Sequence, residues 1–179
     1  MKFNITLLAL ASILLFSCSP DNEDLYVNDP VENFEIIIID GGVTGDPSAT
    51  SFQTDLMAGQ NIVSGIVTVD VVDGNVVTSY STDSDWVIEE THLYIGPLSG
   101  LPTTGSGNPK IGHFPYANTH PVGTTDVDYT GPALLEGECV YVAAHAVVTN
   151  TVTGETETAW AFGDPIGGNS WAMTFEYCY

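Results

Sequence analysis

Ile62-Val-Ser-Gly-Ile-Val-Thr-Val-Asp-Val-Val72, then Asp73-Gly74-Asn75, then Val76-Val-Thr-Ser-Tyr-Ser-Thr82 is the stretch that decides the fold class. Asp-Gly between two β-branched runs signals a hairpin, because the tight turn needs left-handed backbone that these residues tolerate. In the first arm Val67, Val69 and Val71 share one face, and Ile66, Thr68, Asp70 and Val72 share the other. One side is therefore expected to be buried and the other wet.

The same composition extends outward from this hairpin. No segment after Cys18 carries helical periodicity, whereas Val, Ile, Thr and Tyr recur in short runs bounded by Gly, Pro, Asn and Asp, as in an all-β domain. Strands are expected over 34–39, 62–72, 76–82, 86–95, 126–130, 139–148, 156–162 and 171–179. Residues 41–53 read as a loop and Asp55 to Gly59 as a connection or single helical turn. In Trp86-Val-Ile-Glu-Glu-Thr-His-Leu-Tyr-Ile95, period two groups Trp86, Ile88, Glu90, His92 and Tyr94 on one face. That grouping sends His92 and Tyr94 into the interior with their polar ends bonded. The run from Cys139 to Val148 reads as the central strand, since Ala143, Ala144 and Ala146 admit a close neighbour. Residues 97–125 interleave Gly and Pro with Ile111, Phe114 and Tyr116, so an ordered Ω-like loop is expected there, and with it any binding surface. About eight strands with turns between them give a two-sheet antiparallel sandwich, immunoglobulin-like or jelly-roll, with a closed barrel second.

Ahead of the domain, Met1-Lys2 is followed by an apolar run from Phe3 to Phe16 and then Ser17. A basic start, an apolar stretch and a small residue at the cut make a secretory signal over 1–17, and the run is shorter than the roughly 20 residues of a bilayer span. Leu15-Phe16-Ser17-Cys18 resembles the lipobox of bacterial lipoproteins. The resemblance implies cleavage before Cys18, acyl chains on that cysteine and attachment to the outer membrane. Phe16 departs from the small or aliphatic residue usual at its position. Residues 18–33 then read as a flexible acidic tether, with too little apolar surface to fold alone, and 34–179 as one β domain. Acidic residues directly after a lipobox cysteine, here Asp21, Glu23 and Asp24, resemble the export signal of surface-exposed lipoproteins.

The formal net charge is −21, with two basic side chains in all, Lys2 and Lys110. Phosphate binding works by replacing counterions with Lys and Arg, so nucleic acid is excluded as a partner. Polybasic attraction to anionic lipid is excluded likewise, and membrane attachment falls to the acyl chains. Cys139 and Cys178 remain after Cys18 and are expected to pair in an oxidising compartment. Their bridge would close a loop worth about 4 kcal/mol of chain entropy.

Candidate site residues fall into three groups. His113, Phe114, Tyr116 and His120 of the long loop, with Trp86, are ligand-binding candidates, and Trp160, Trp171 and Tyr129 are further stacking platforms for sugars. His92 and His145 lie on strands that could be neighbours, and three histidines with a carboxylate can hold zinc. Asp126 and Asp128, like Asp83 and Asp85, could join backbone carbonyls around calcium. No His-Glu-x-x-His, complete calcium loop or Gly-x-Ser-x-Gly elbow is present, so no cofactor and no catalytic residue is assigned.

Glu-Thr-His-Leu-Tyr-Ile-Gly at 90–96, Phe-Pro-Tyr at 114–116, Tyr-Val-Ala-Ala-His-Ala at 141–146, Glu-Thr-Ala-Trp at 157–160 and Trp-Ala-Met-Thr-Phe-Glu-Tyr at 171–177 resemble a secreted bacterial domain of uncharacterised family. That resemblance implies an extracytoplasmic location and no activity. The expected function is a lipid-anchored cell-surface lipoprotein whose domain is a non-catalytic binding module for carbohydrate or another extracellular macromolecule. The alternatives are a metal-dependent hydrolase using His92 and His145 with nearby carboxylates, and a structural subunit of an envelope complex.

Overall fold

The computed structural model describes residues 51–179. The signal segment, Cys18, the tether and the strand expected over 34–39 lie outside the described residues. The described chain is all β: β1 (Phe52–Ala58), β2 (Ile62–Val72), β3 (Asn75–Thr82), β4 (Trp86–Gly96), β5 (Tyr116–Thr119), β6 (Asp126–Ala133), β7 (Cys139–Asn150), β8 (Thr156–Ala161), β9 (Asp164–Pro165) and β10 (Met173–Cys178). Two short 3-10 turns, Leu98–Gly100 and Ile111–His113, lie in the long loop.

The hairpin forms as its sequence dictates. Val72 pairs with Asn75, and the two linking residues have positive φ, 51° at Asp73 and 77° at Gly74, the requirement of a type I′ turn. Three strands were hidden in the sequence: β1, β5 and the two-residue β9, which pairs with β10. Phe52, Thr54, Leu56 and Ala58 of β1 do alternate, but with few β-branched residues, and the strand exists because β2 and β8 flank it on both edges. Four-residue β5 sits on the edge of β4 inside the stretch expected to be wholly loop.

Strand pairing is antiparallel and continuous, in the order β5-β4-β7-β8-β1-β2-β3-β6. The separate sheets of a sandwich are here one sheet curled nearly into a barrel. The reason is the length of β7, whose 12 residues bond β4 along one edge and share the other between β10 and β8. Register shifts at Ile88/Glu90, Leu56/Met57 and Asn75/Val77 add local twist. Tyr80 of β3 then spans the interior, and its hydroxyl donates to the carbonyl of His92 on β4 at 3.3 Å. The seam between β6 and β4 is closed by side chains, with Tyr129 and Thr91 hydroxyls 2.6 Å apart and the rings of Tyr116 and Tyr129 packed at 5.9 Å.

Inside lies the main core, built from Leu56, Val67, Val69, Val76, Tyr80, Ile88, Leu93, Val142 and Val148, together with Ala144, Ala146 and Ala159. The small residues of β7 and β8 leave room opposite the large ones of β2 and β3. The shift after Ile88 changes the faces of β4. Trp86 and Ile88 point inward, and beyond the extra residue Glu89 so do Leu93 and Ile95. His92 and Tyr94, expected inside, therefore belong to the outer surface of the sheet and are buried there by a loop.

Candidate functional site

Antiparallel register lines up six residues from six strands across the sheet: Val63, Met57, Trp160, His145, His92 and Ala117. All stand on the outer face, which in a sheet packed on one side is ordinarily the wet one. Here the middle of the row is enclosed, with His145 2% and His92 8% exposed. The covering layer is the loop between β4 and β5 and the segment after β9, which build a second apolar cluster from Tyr94, Leu101, Phe114, Ala143, Trp160 and Ala172.

These two loops are held in shape from several sides. The Tyr94 hydroxyl donates to the Pro97 carbonyl at 2.6 Å, fixing where the first loop leaves the sheet. Within it, the Lys110 amide bonds the Pro102 carbonyl and the Thr104 amide bonds the Asn108 carbonyl. Asn108 Oδ1 then accepts from the amides of Asn169 at 2.7 Å and Ser170 at 3.1 Å, tying the first loop to the second. Gly168 permits the approach, since a Cβ there would lie 2.3 Å from Asn108 Oδ1. Under the layer Phe114 packs edge-on to Trp160 at 6.4 Å and against Tyr94 at 6.1 Å.

Cross-strand pairing sets His92 against His145, with their Nδ1 atoms 3.4 Å apart. Glu90 Oε1 stands 3.2 Å from the other nitrogen of His92. A carboxylate accepts, so an Nε2 proton on His92 is the one that faces Glu90, and the tautomer assignment consistent with it has His145 donating from Nδ1 to Nδ1 of His92. Burial, then the neighbouring His92, lowers the His145 pKa to about 4, so this ring is neutral at pH 7. Its ring lies tilted against Trp160, with the centroids 4.8 Å apart. The arrangement is a carboxylate–imidazole–imidazole chain leading inward from a partly exposed acid, able to hold or pass a proton. The pair offers two nitrogen ligands to a metal, and the other two histidines stand elsewhere.

The remaining sequence candidates disperse. His120 Nε2 lies 2.7 Å from Thr91 Oγ1 at the seam, and burial lowers its pKa. His113 is exposed at the end of its 3-10 turn. Phe114 is buried in the outer cluster and Tyr116 half-buried at the seam. Trp86, at 7% exposure, is enclosed in the main core and has no open ring face for a sugar. Trp160 is buried beside His145, while Trp171 is half-buried. Asp126 and Asp128 are exposed along β6. Hydrogen bonds from Thr125 and from Ser81 to the Asp126 carboxylate hold its pKa below the usual range. Phe162, read as the last residue of a strand, is the aromatic the sequence did not single out: it ends 56% exposed just past β8. Its position follows from the Asp55 carbonyl taking its amide, a contact with the strand that sequence pattern concealed.

Cys139 and Cys178 form a disulfide between the first residue of β7 and the last of β10. Among the described residues, the group of three metal-ligating side chains that gathers at one point is Cys139, Glu176 and Cys178. Comparison of the chain with protein-family models, with curated proteins and with solved structures returns no match.

Proposed function

We propose that this chain is a lipid-anchored envelope protein, held at the outer membrane and displayed at the cell surface by acyl chains on Cys18. Its β domain is a non-catalytic module that binds a glycan or another extracellular macromolecule. The lipobox-like Leu15-Phe16-Ser17-Cys18, the acidic tether and the disulfide support the location.

The observation that carries the binding role is the clamped pair of loops on the outer face of β4, β7 and β8. Loops tied to each other through Asn108 and to the sheet through Phe114 lose little freedom on meeting a ligand, which favours binding. Exposed Leu98 and Phe162 and half-buried Trp171 give that side of the domain apolar contact surface. A glycan array probed with the mature chain carrying Cys18→Ser tests the ligand class. Binding that Phe162→Ala and Trp171→Ala weaken without lowering thermal stability supports the module, whereas a blank array removes the glycan reading. Intact cells treated with protease test display: a chain that resists digestion faces the periplasm.

The opposed His92 and His145 favour a second reading, a metal-dependent hydrolase with Glu90 orienting His92. Zinc retained stoichiometrically by the purified chain and lost in His92→Ala would support it over the first.

A further inference from the structure

The Cys139–Cys178 bridge lies at the surface of the sheet. Both cysteines are exposed, and they are directly opposed in the antiparallel register of β7 and β10, with Cα atoms 4.0 Å apart. Glu176 precedes Cys178 by two residues and so projects from the same face of the strand. One carboxylate oxygen and both sulfurs lie within 4.8 Å of one another. Tyr141 stands across from Glu176, whose charge foremost raises the phenol's pKa.

We propose that Cys139, Cys178 and Glu176 form a surface site for a thiophilic d10 cation such as Zn2+, masked while the cysteines are bridged and opened by their reduction. A small thiol supplies the two electrons. Two reductant thiols are oxidised to their disulfide, the protein bridge becomes two thiols, and both protons of the reductant end on the protein sulfurs. Zn2+ then displaces those protons to solvent and takes two thiolates and one carboxylate oxygen, a three-ligand set with a fourth position for water.

Two physical features carry the inference. First, the bridge does not hold the strands together alone. Phe175 and Tyr177 alternate with the site residues and are buried beside Val140 and Val142 in the core. Four residue pairs join the strands, and beyond them the Tyr179 amide bonds the Glu138 carbonyl and the Gly137 amide bonds the Tyr179 carbonyl. The sulfurs of a reduced chain thus stay adjacent on a fixed backbone. Second, the spacing suits the ion: thiolates on tetrahedral zinc at about 2.3 Å stand about 3.8 Å apart, which rotation about the cysteine Cα–Cβ bonds can supply. Exposure gives both reductant and cation access.

The test uses the mature chain with Cys18→Ser, reduced with a phosphine, freed of reductant without oxygen, and titrated with Cd2+ as a spectroscopic probe and with Zn2+. A thiolate-to-cadmium absorption band, saturating at one ion per chain while the far-ultraviolet dichroism stays native, is the expected result. The oxidised chain and Cys139→Ser lose it, and Glu176→Gln weakens Zn2+ binding at least about tenfold. The proposal fails if the reduced, folded chain takes up no ion, or if Glu176→Gln binds as tightly. It also fails if reduction unfolds the domain, or if the urea-unfolded chain binds equally well.

Discussion

Acidification should destabilise this domain chiefly through one imidazole, His145, with His120, whose pKa burial also lowers, adding in the same direction. His145 is 2% exposed and titrates at about 4 instead of 6.5, first because burial disfavours its charged form and second because His92 faces it. The unfolded chain takes up a proton near 6.5 that the folded chain refuses down to about 4. Stability from this group is complete above the unfolded value and falls with pH across that interval. The difference, at 1.36 kcal/mol per unit, amounts to about 3 kcal/mol by the lower end. His145→Asn keeps an N–H donor near the position of Nδ1 and cannot titrate. Urea unfolding followed by tryptophan fluorescence, in steps from about pH 7 to about pH 4.5, measures the slope. Wild type should lose a large part of the 3 kcal/mol over that range, and His145→Asn should keep only the smaller slope that His120 contributes. Loss of Asp126 ionisation belongs to a separate window: its depressed pKa makes its contribution present above the unfolded value of 3.8 and lost below it. Equal slopes for wild type and His145→Asn would refute the assignment of the acid sensitivity to this ring.

Three further perturbations test the architecture. Thr78 points into the barrel at 0% exposure, and its hydroxyl has no partner among the described residues; the isosteric Thr78→Val should raise stability by about 1 kcal/mol, and a lower midpoint in urea would show that the hydroxyl is satisfied. Gly65→Ala would place a Cβ 2.1 Å from the Ser81 carbonyl oxygen of β3. The strands must part to admit it, so the folded fraction or melting temperature should fall by the equivalent of more than about 3 kcal/mol, and a near-neutral effect would mean that the β2–β3 register differs. Joint replacement Cys139→Ala with Cys178→Ala reopens a loop of 39 residues' separation, costing up to about 4 kcal/mol by chain entropy while the domain stays folded; reduced wild type should show the same loss.

Local chemistry made the central hairpin legible. Asp73-Gly74 sets its own turn, and the alternation of Val67, Val69 and Val71 sets which side of β2 is buried, because both depend on residues near one another in the chain. The central place of β7 was readable from its alanines for a similar reason. The disulfide was also foreseeable, since Cys139 and Cys178, once Cys18 is set apart, allow a single pairing.

Tertiary structure decided what depends on neighbours distant in sequence. β1 is a strand because β2 and β8 supply bonds to both its edges. One extra residue in β4 turned His92 and Tyr94 outward, and no period-two count can register an insertion that exists only relative to β7. Whether the strands part into two sheets or curl as one was set by how β7 divides its free edge between β10 and β8. The meeting of His92 with His145 follows from that same register, and the burial of both from loops that close over them after the sheet has formed. A sequence fixes which side chains seek burial; only the assembled sheet fixes which of its two surfaces receives them.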